Sequence, residues 1–283
     1  MKHDLKITLL LVFLFLASHV IGLFIVKHYL PDEQPLPLNI QKPEFDEKTS
    51  YFPIFVTIIV ATALALLLLK FRAVRLWKLW FFLSVFITLS ISFNSFLPEI
   101  VAVAVALIFS IVKIFKPSII VHNFTELFIY GGLAAIFVPV LNVVSAAVLL
   151  VLISIYDFIA VWKTKHMVSL AKFQAESNVF AGLFVPYSVK SIKAKNVKSA
   201  KSAAVEQAIL GGGDIGFPLL FSGVIMKIFG LQYALIVSAS AAIALTLLFF
   251  LAEKKKFYPA MPFLTIGCLV GYVLVLALKH SVS

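Results

Sequence analysis

The sequence predicts an all-α polytopic membrane protein of nine transmembrane helices, with the N-terminus in the cytoplasm and the C-terminus outside. Three observations predict it. Of 283 residues, 62% are hydrophobic and 13% charged, and the mean hydropathy is +1.07; soluble domains carry about twice that charged fraction. The apolar residues gather into runs of roughly 20, the length that crosses a bilayer core. The loops between the runs alternate between basic and acidic or uncharged, as successive crossings require.

The runs cover residues 5–26, 51–69, 79–97, 99–115, 119–140, 142–162, 206–229, 231–252 and 257–278. The first is longer than a signal-peptide core of about 7–15 residues and no clear A-x-A site follows it, so it reads as a retained helix. Loop 27–50 sets Asp32, Glu33, Glu44, Asp46 and Glu47 against Lys27, Lys42 and Lys48, whereas loop 70–78 carries Lys70, Arg72, Arg75 and Lys78. A short turn at Pro98 and Glu99 is followed by Lys113 and Lys116. Loop 163–205 holds Lys163, Lys165, Lys172, Lys190, Lys193, Lys195, Lys198 and Lys201 against Glu176 alone, and the turn 253–256 reads EKKK. The excess of Lys and Arg marks the cytoplasmic side and gives the stated orientation. Trp77, Trp80 and Trp162 fall near the expected cytoplasmic ends, where aromatic belts sit.

Three parts follow: a six-helix part, 1–162; a basic cytoplasmic loop, 163–205; and a three-helix part, 206–283. The loop reads first as a solvated segment that sets orientation. Its run KSIKAKNVKSAK, 190–201, has the composition to grip anionic headgroups. No internal repeat supports an inverted-repeat transporter. The net charge of +11 needs no nucleic-acid partner, because it sits in cytoplasmic loops. The one cysteine, Cys268, excludes an internal disulfide and a Cys-based zinc site and reads as a small apolar residue in a span. The six histidines form no H-E-x-x-H, and Ser222-Gly223 lacks the preceding glycine of a G-x-S-G motif, so neither a zinc nor a serine mechanism has support.

Two ionisable residues stand inside runs: Asp157 in SIYDFIAVW and Asp214 in GGGDIGFP. Burying a charge in a bilayer costs several kcal/mol, so each is a candidate functional residue. Counted from Trp162, Asp157 lies about 8 Å from the cytoplasmic end of its run, and Asp214 lies roughly 12 Å into the next. These spans are consecutive and antiparallel, so the two carboxylates share nearly one layer. Two facing carboxylates at low dielectric share one proton, which makes one an acid and the other a base. Such a pair can activate water and protonate a leaving amine. It can also relay protons in a transporter, and one or both can be structural carboxyls. Gly211 and Gly213 allow close backbone approach beside Asp214, and Pro218 removes the hydrogen bond to its carbonyl. The glycines also suit plain small-residue helix packing.

Tyr156-Asp157, Gly211-x-Gly213-Asp214 in the next span, and a proline motif at the last span together resemble the presenilin and signal peptide peptidase family of intramembrane aspartic proteases. The resemblance covers nearly the whole chain, and the compact length is similar to archaeal members, which implies a multi-pass protein of a prokaryotic cell membrane. It implies that Asp157 and Asp214 are the catalytic pair, with Tyr156 near them. The third motif departs from the family's Pro-Ala-Leu: here it reads Pro259-Ala260-Met261, followed by Pro262. Methionine for leucine keeps volume and apolarity. Two prolines in four residues leave backbone groups for an extended substrate strand, or simply begin the last helix. The N-terminus-inside orientation resembles the presenilin branch and implies single-span substrates with their N-terminus outside. The resemblance implies a transmembrane substrate within the bilayer and no metal or organic cofactor. A prepilin-type G-x-G-D peptidase stays open as an alternative, although its usual lysine after the motif is replaced here by Ile215 and Gly216. Glu126, three residues after Asn123, has the spacing of a helix-start cap.

Overall fold

The structure is a computed structural model and describes residues 5–30, 34–177, 179–186, 207–252 and 258–282. Six helices precede the basic segment: α1 (Leu5–Tyr29), α2 (Tyr51–Lys70), α3 (Val74–Asn94), α4 (Glu99–Phe115), α5 (Ile119–Phe137) and α6 (Val143–Phe158). A π-helical turn, Ile159–Lys163, extends α6. There follow α7 (His166–Glu176), strands β1 (Gly182–Pro186) and β2 (Gln207–Gly211), and helices α8 (Gly212–Phe229), α9 (Leu231–Leu251) and α10 (Met261–Val282). Among the described residues, eight helices are long and apolar enough to cross a membrane. The 17 residues of α4 make a helix of about 25 Å, at the short end of the spanning range. A lipid core leaves no water for backbone groups, which is why apolar runs of this length close their hydrogen bonds internally as helices.

The interior is built around α1, which packs on α5, α8 and α9, while α10 lies along α9 and α6. One large cluster joins Leu11, Phe15, Leu149, Phe221, Leu245 and Leu264 from these helices. Helices α3, α4 and α5 form a second cluster around Val85, Leu89, Phe93 and Ala106. Small residues set the closest approaches: a Cβ at Gly271 of α10 would stand 2.9 Å from the Val237 backbone of α9. Helix α2 is the exception, contributing only Ile54 and Ala65 to the interior.

Asn142 caps α6 by accepting from the Ser145 amide at 2.8 Å. Beside it, Lys227 near the end of α8 donates to the Pro139 carbonyl at 2.8 Å and to the Leu141 carbonyl at 3.5 Å. The start of α6 therefore meets the end of α8. These helices also pack along their length, so they are antiparallel neighbours.

Three expectations change. The seventh run does not begin a helix at 206: residues 207–211 form β2, paired antiparallel with β1 in the register Gly182–Gly211 to Pro186–Gln207. Ala208 and Leu210 are buried while Ile209 is exposed, a strand alternation inside an apolar run. The glycines mark the switch from strand to helix, and Gly211 is itself extended at φ −64°, ψ 146°. Part of the basic loop is folded, as α7 and β1, whereas 190–201 and 253–256 lie outside the described residues. Trp77 is no belt residue but a buried side chain, edge-on to Trp80 and to Phe173 of α7.

Candidate active site

Asp157 is the penultimate residue of α6 and is 7% exposed. Asp214 is the third residue of α8 and is half-buried. Their common layer follows from the antiparallel pairing. Measured from the shared end at Leu141 and Lys227, Asp157 lies fourteen residues along α6 from Val143 and Asp214 thirteen residues back along α8, about 21 Å and 20 Å at helical rise. Counting depth from residue 206 does not hold, because the helix starts later, but the match between the two aspartates does.

A third element closes the site. The Met261 amide, at the first residue of α10, donates to Asp157 Oδ2 at 3.1 Å. First-turn amides of a helix have no partner within it, so the start of α10 gives an otherwise orphaned donor to the buried carboxylate. Pro259, Ala260 and Met261 are buried there, and Ala260 is the cap residue whose carbonyl accepts from Leu264 at 3.1 Å. Pro262 sits in the first turn, where its missing N–H costs nothing. The Ser154 and Thr265 hydroxyls, 2.6 Å apart, tie α6 to α10 one turn below Asp157.

The glycines differ in what they permit. A Cβ on Gly211 would stand 3.1 Å from Asp214 Oδ2, so this carboxylate is folded back over the strand end. A Cβ on Gly213 would meet only the Phe217 ring, at 3.6 Å, an ordinary contact. Gly212, which the motif leaves unspecified, is the crowded one: its Cβ would lie 2.8 Å from the Tyr130 hydroxyl. Tyr156, expected beside the pair, has its hydroxyl 3.0 Å from His166 Nε2. Adjacent helical residues point about 100° apart, and Tyr156 reaches toward α7. Partial burial lowers the pKa of His166 from its usual value, which favours the neutral ring.

Glu126 is not a cap. Ser118 caps α5, accepting from the Val121 amide at 3.2 Å. Glu126 lies about two turns further in, 1% exposed, paired with Lys113 at 2.7 Å. Asn123 instead clamps β1, donating to the Phe184 carbonyl at 2.7 Å and accepting from the Phe184 amide at 2.9 Å. The one available signal for Tyr130's seat was Gly212-x-x-x-Gly216, a small-residue spacing that invites a close neighbour.

Comparison with known proteins bears on this arrangement. The sequence model described as "Signal-peptide peptidase, presenilin aspartyl protease" matches residues 12–281. The chain belongs to that family. That family consists of intramembrane aspartic proteases, so this is a hydrolase. Its fold is similar to a solved presenilin family intramembrane aspartate protease in a C222 crystal, with TM-score 0.62 and 20% identity over 96% of this chain and 99% of that one. A P2 crystal structure, also of a presenilin family intramembrane aspartate protease, gives TM-score 0.61 and 19% identity over 95% and 96%. No curated protein matches the sequence.

Proposed function

We propose that Asp157 and Asp214 form the catalytic dyad that hydrolyses peptide bonds within the transmembrane segment of single-span proteins or signal peptides. The observation that carries the reading is their placement, at one end and in one layer of adjacent antiparallel helices. The pair shares one proton. The ionised member takes a proton from water as it attacks the substrate carbonyl, and the protonated member polarises that carbonyl. Collapse of the tetrahedral intermediate then returns a proton to the leaving amine. The Met261 amide holds Asp157 in place through this cycle.

Peptide-bond attack requires an unwound substrate. Helix α5 side chains occupy the free edge of β1, and among the described residues β2 pairs with β1 alone. The open edge of β2 leads straight into Asp214 and suits an added substrate strand. Pro259, Ala260, Met261 and Pro262 bound the opposite side, while Gly213 leaves room beside the aspartate. Counting α4, the chain makes nine spans, with the N-terminus in the cytoplasm, and its substrates present their N-terminus outside.

Cleavage of a tagged single-span peptide in liposomes made up in H₂¹⁸O tests the reading. Fragments cut within the span, with one ¹⁸O in the new C-terminal carboxyl, are expected. Cutting only outside the span, or no label in the product, would sink it.

A further inference from the structure

A buried polar cluster lies behind the candidate dyad, and the reading above leaves it unused. It comprises Lys113 of α4 and His122, Thr125, Glu126 and Tyr130 of α5. Lys113 spends its three ammonium protons on Glu126 Oε1 at 2.7 Å, Thr125 Oγ1 at 2.9 Å and His122 Nδ1 at 3.2 Å. His122 Nε2 is 2.7 Å from the Gly182 carbonyl and so donates there, which leaves Nδ1 as the acceptor for Lys113. The other Glu126 oxygen, Oε2, accepts from the Gly182 amide at 3.1 Å and from the Tyr130 hydroxyl. Lys113, Gly182 and Tyr130 all donate to the carboxylate, so both of its oxygens are fixed in one orientation.

An ion pair retained only to fill space has no need of that second oxygen. A buried pair is often matched in stability by apolar side chains of the same volume. Here Oε2 is turned to two groups that bracket Asp214. Gly182 pairs in register with Gly211, the last strand residue before the aspartate. Its φ of +148° is one that side chains rarely adopt, so the amide is presented by a residue that must be glycine. The Tyr130 ring lies along α8, against Gly212 and, at 3.6 Å from a Cβ position, Gly216. Those glycines are one turn apart, and Asp214 lies between them.

We propose that Glu126 is a positioning residue: with one oxygen on the Gly182 amide and the Tyr130 hydroxyl, it locks the β1–β2 hairpin to the first turn of the Asp214 helix. Lys113 orients the carboxylate from its other oxygen. The inference rests on the dyad reading, because positioning has a catalytic meaning only if Asp214 reacts.

Tyr130→Phe removes one hydroxyl and spares the ion pair. Glu126→Gln presents an amide NH₂ to Lys113, and Lys113→Met added to it removes that conflict while the Gln carbonyl still accepts from Gly182 and Tyr130. These variants, wild type and Asp214→Ala are compared on a tagged single-span peptide, reading kcat, KM, product masses and amide exchange over residues 182–186 and 211–214. In Tyr130→Phe, kcat falls by up to about 10²-fold, the loss associated with a misplaced catalytic group. KM stays near wild type, exchange at those amides rises, and cleavage spreads to neighbouring bonds. The double variant recovers most of the kcat that Glu126→Gln loses. Unchanged kcat in Tyr130→Phe, or unchanged exchange at those amides, overturns the proposal. Cleavage by Asp214→Ala would instead sink the dyad reading, and the exchange measurement still decides whether Glu126 locks the hairpin.

Discussion

Gly211, Gly212 and Gly213 are adjacent, yet the structure asks different things of them. Gly212 faces the Tyr130 hydroxyl, so Gly212→Ala overpacks the contact and costs about 1–3 kcal/mol, read as a lower melting temperature together with lost cleavage. Gly213 is exposed, and among the described residues a Cβ there would meet the Phe217 ring alone. Gly213→Ala therefore folds within about 0.5 kcal/mol of wild type; a large drop in melting temperature would contradict this, and any loss of cleavage then lies on the substrate side. Met261 acts through its backbone, since its amide is what reaches Asp157. Met261→Leu, which restores the family's usual residue, leaves cleavage unchanged. Met261→Pro keeps a helix start but deletes the donor, and a hydrogen bond to a charged group is worth about 1.5–3 kcal/mol. Its kcat falls by at least tenfold if that bond holds the reacting carboxylate. Both aspartates were legible in the sequence because a charge in a long apolar run has few benign explanations. Glu126 was not, because an acidic residue near the start of a helix is usually a cap and Lys113 lies a turn away in another helix.

The β1–β2 hairpin is the element that sequence reasoning missed. The run from Ala208 onward is apolar, and an apolar strand of five residues cannot be told from a helix start by periodicity alone. What fixes it as strand is tertiary: Asn123 offers both a donor and an acceptor to Phe184, mimicking a neighbouring strand. Asn123→Leu removes both bonds and leaves two backbone groups unsatisfied, at about 1–3 kcal/mol each. Amide exchange at 183–185 and 208–210 rises as a result; protection equal to wild type would show that the clamp is dispensable. Helix α2 stands at the other extreme, since nearly all of it faces outward. Its packing against the bundle is therefore slight, while its backbone stays internally hydrogen-bonded as a lipid core demands. The periodicity of such a helix carries no trace of this, because lipid-facing and core-facing positions are equally apolar.

Across the whole molecule, loop 34–50 and the ends of α5, α6 and α8 are fastened together at Lys227. Its ammonium reaches Glu47 at 2.7 Å as well as the Pro139 and Leu141 carbonyls. Glu47 is half exposed, so Glu47→Ala costs under about 1 kcal/mol. Lys227→Met strands two carbonyls and costs more, about 1–3 kcal/mol, and melting temperatures in detergent separate the two. Each of the eight helices long enough to span among the described residues, and the shorter α4, lies on a hydropathic run, with ends off by a few residues. Their packing order was not visible, because apolar length says nothing about which faces meet. The claim on which all of this turns is that two aspartates, brought to one layer by antiparallel helices, perform one reaction. Its most direct test is cleavage of a tagged single-span peptide by purified wild type beside Asp157→Ala and Asp214→Ala, each shown to be folded. Cutting within the span by wild type, abolished in both variants, is the predicted result. Wild-type cutting by either variant would contradict the account.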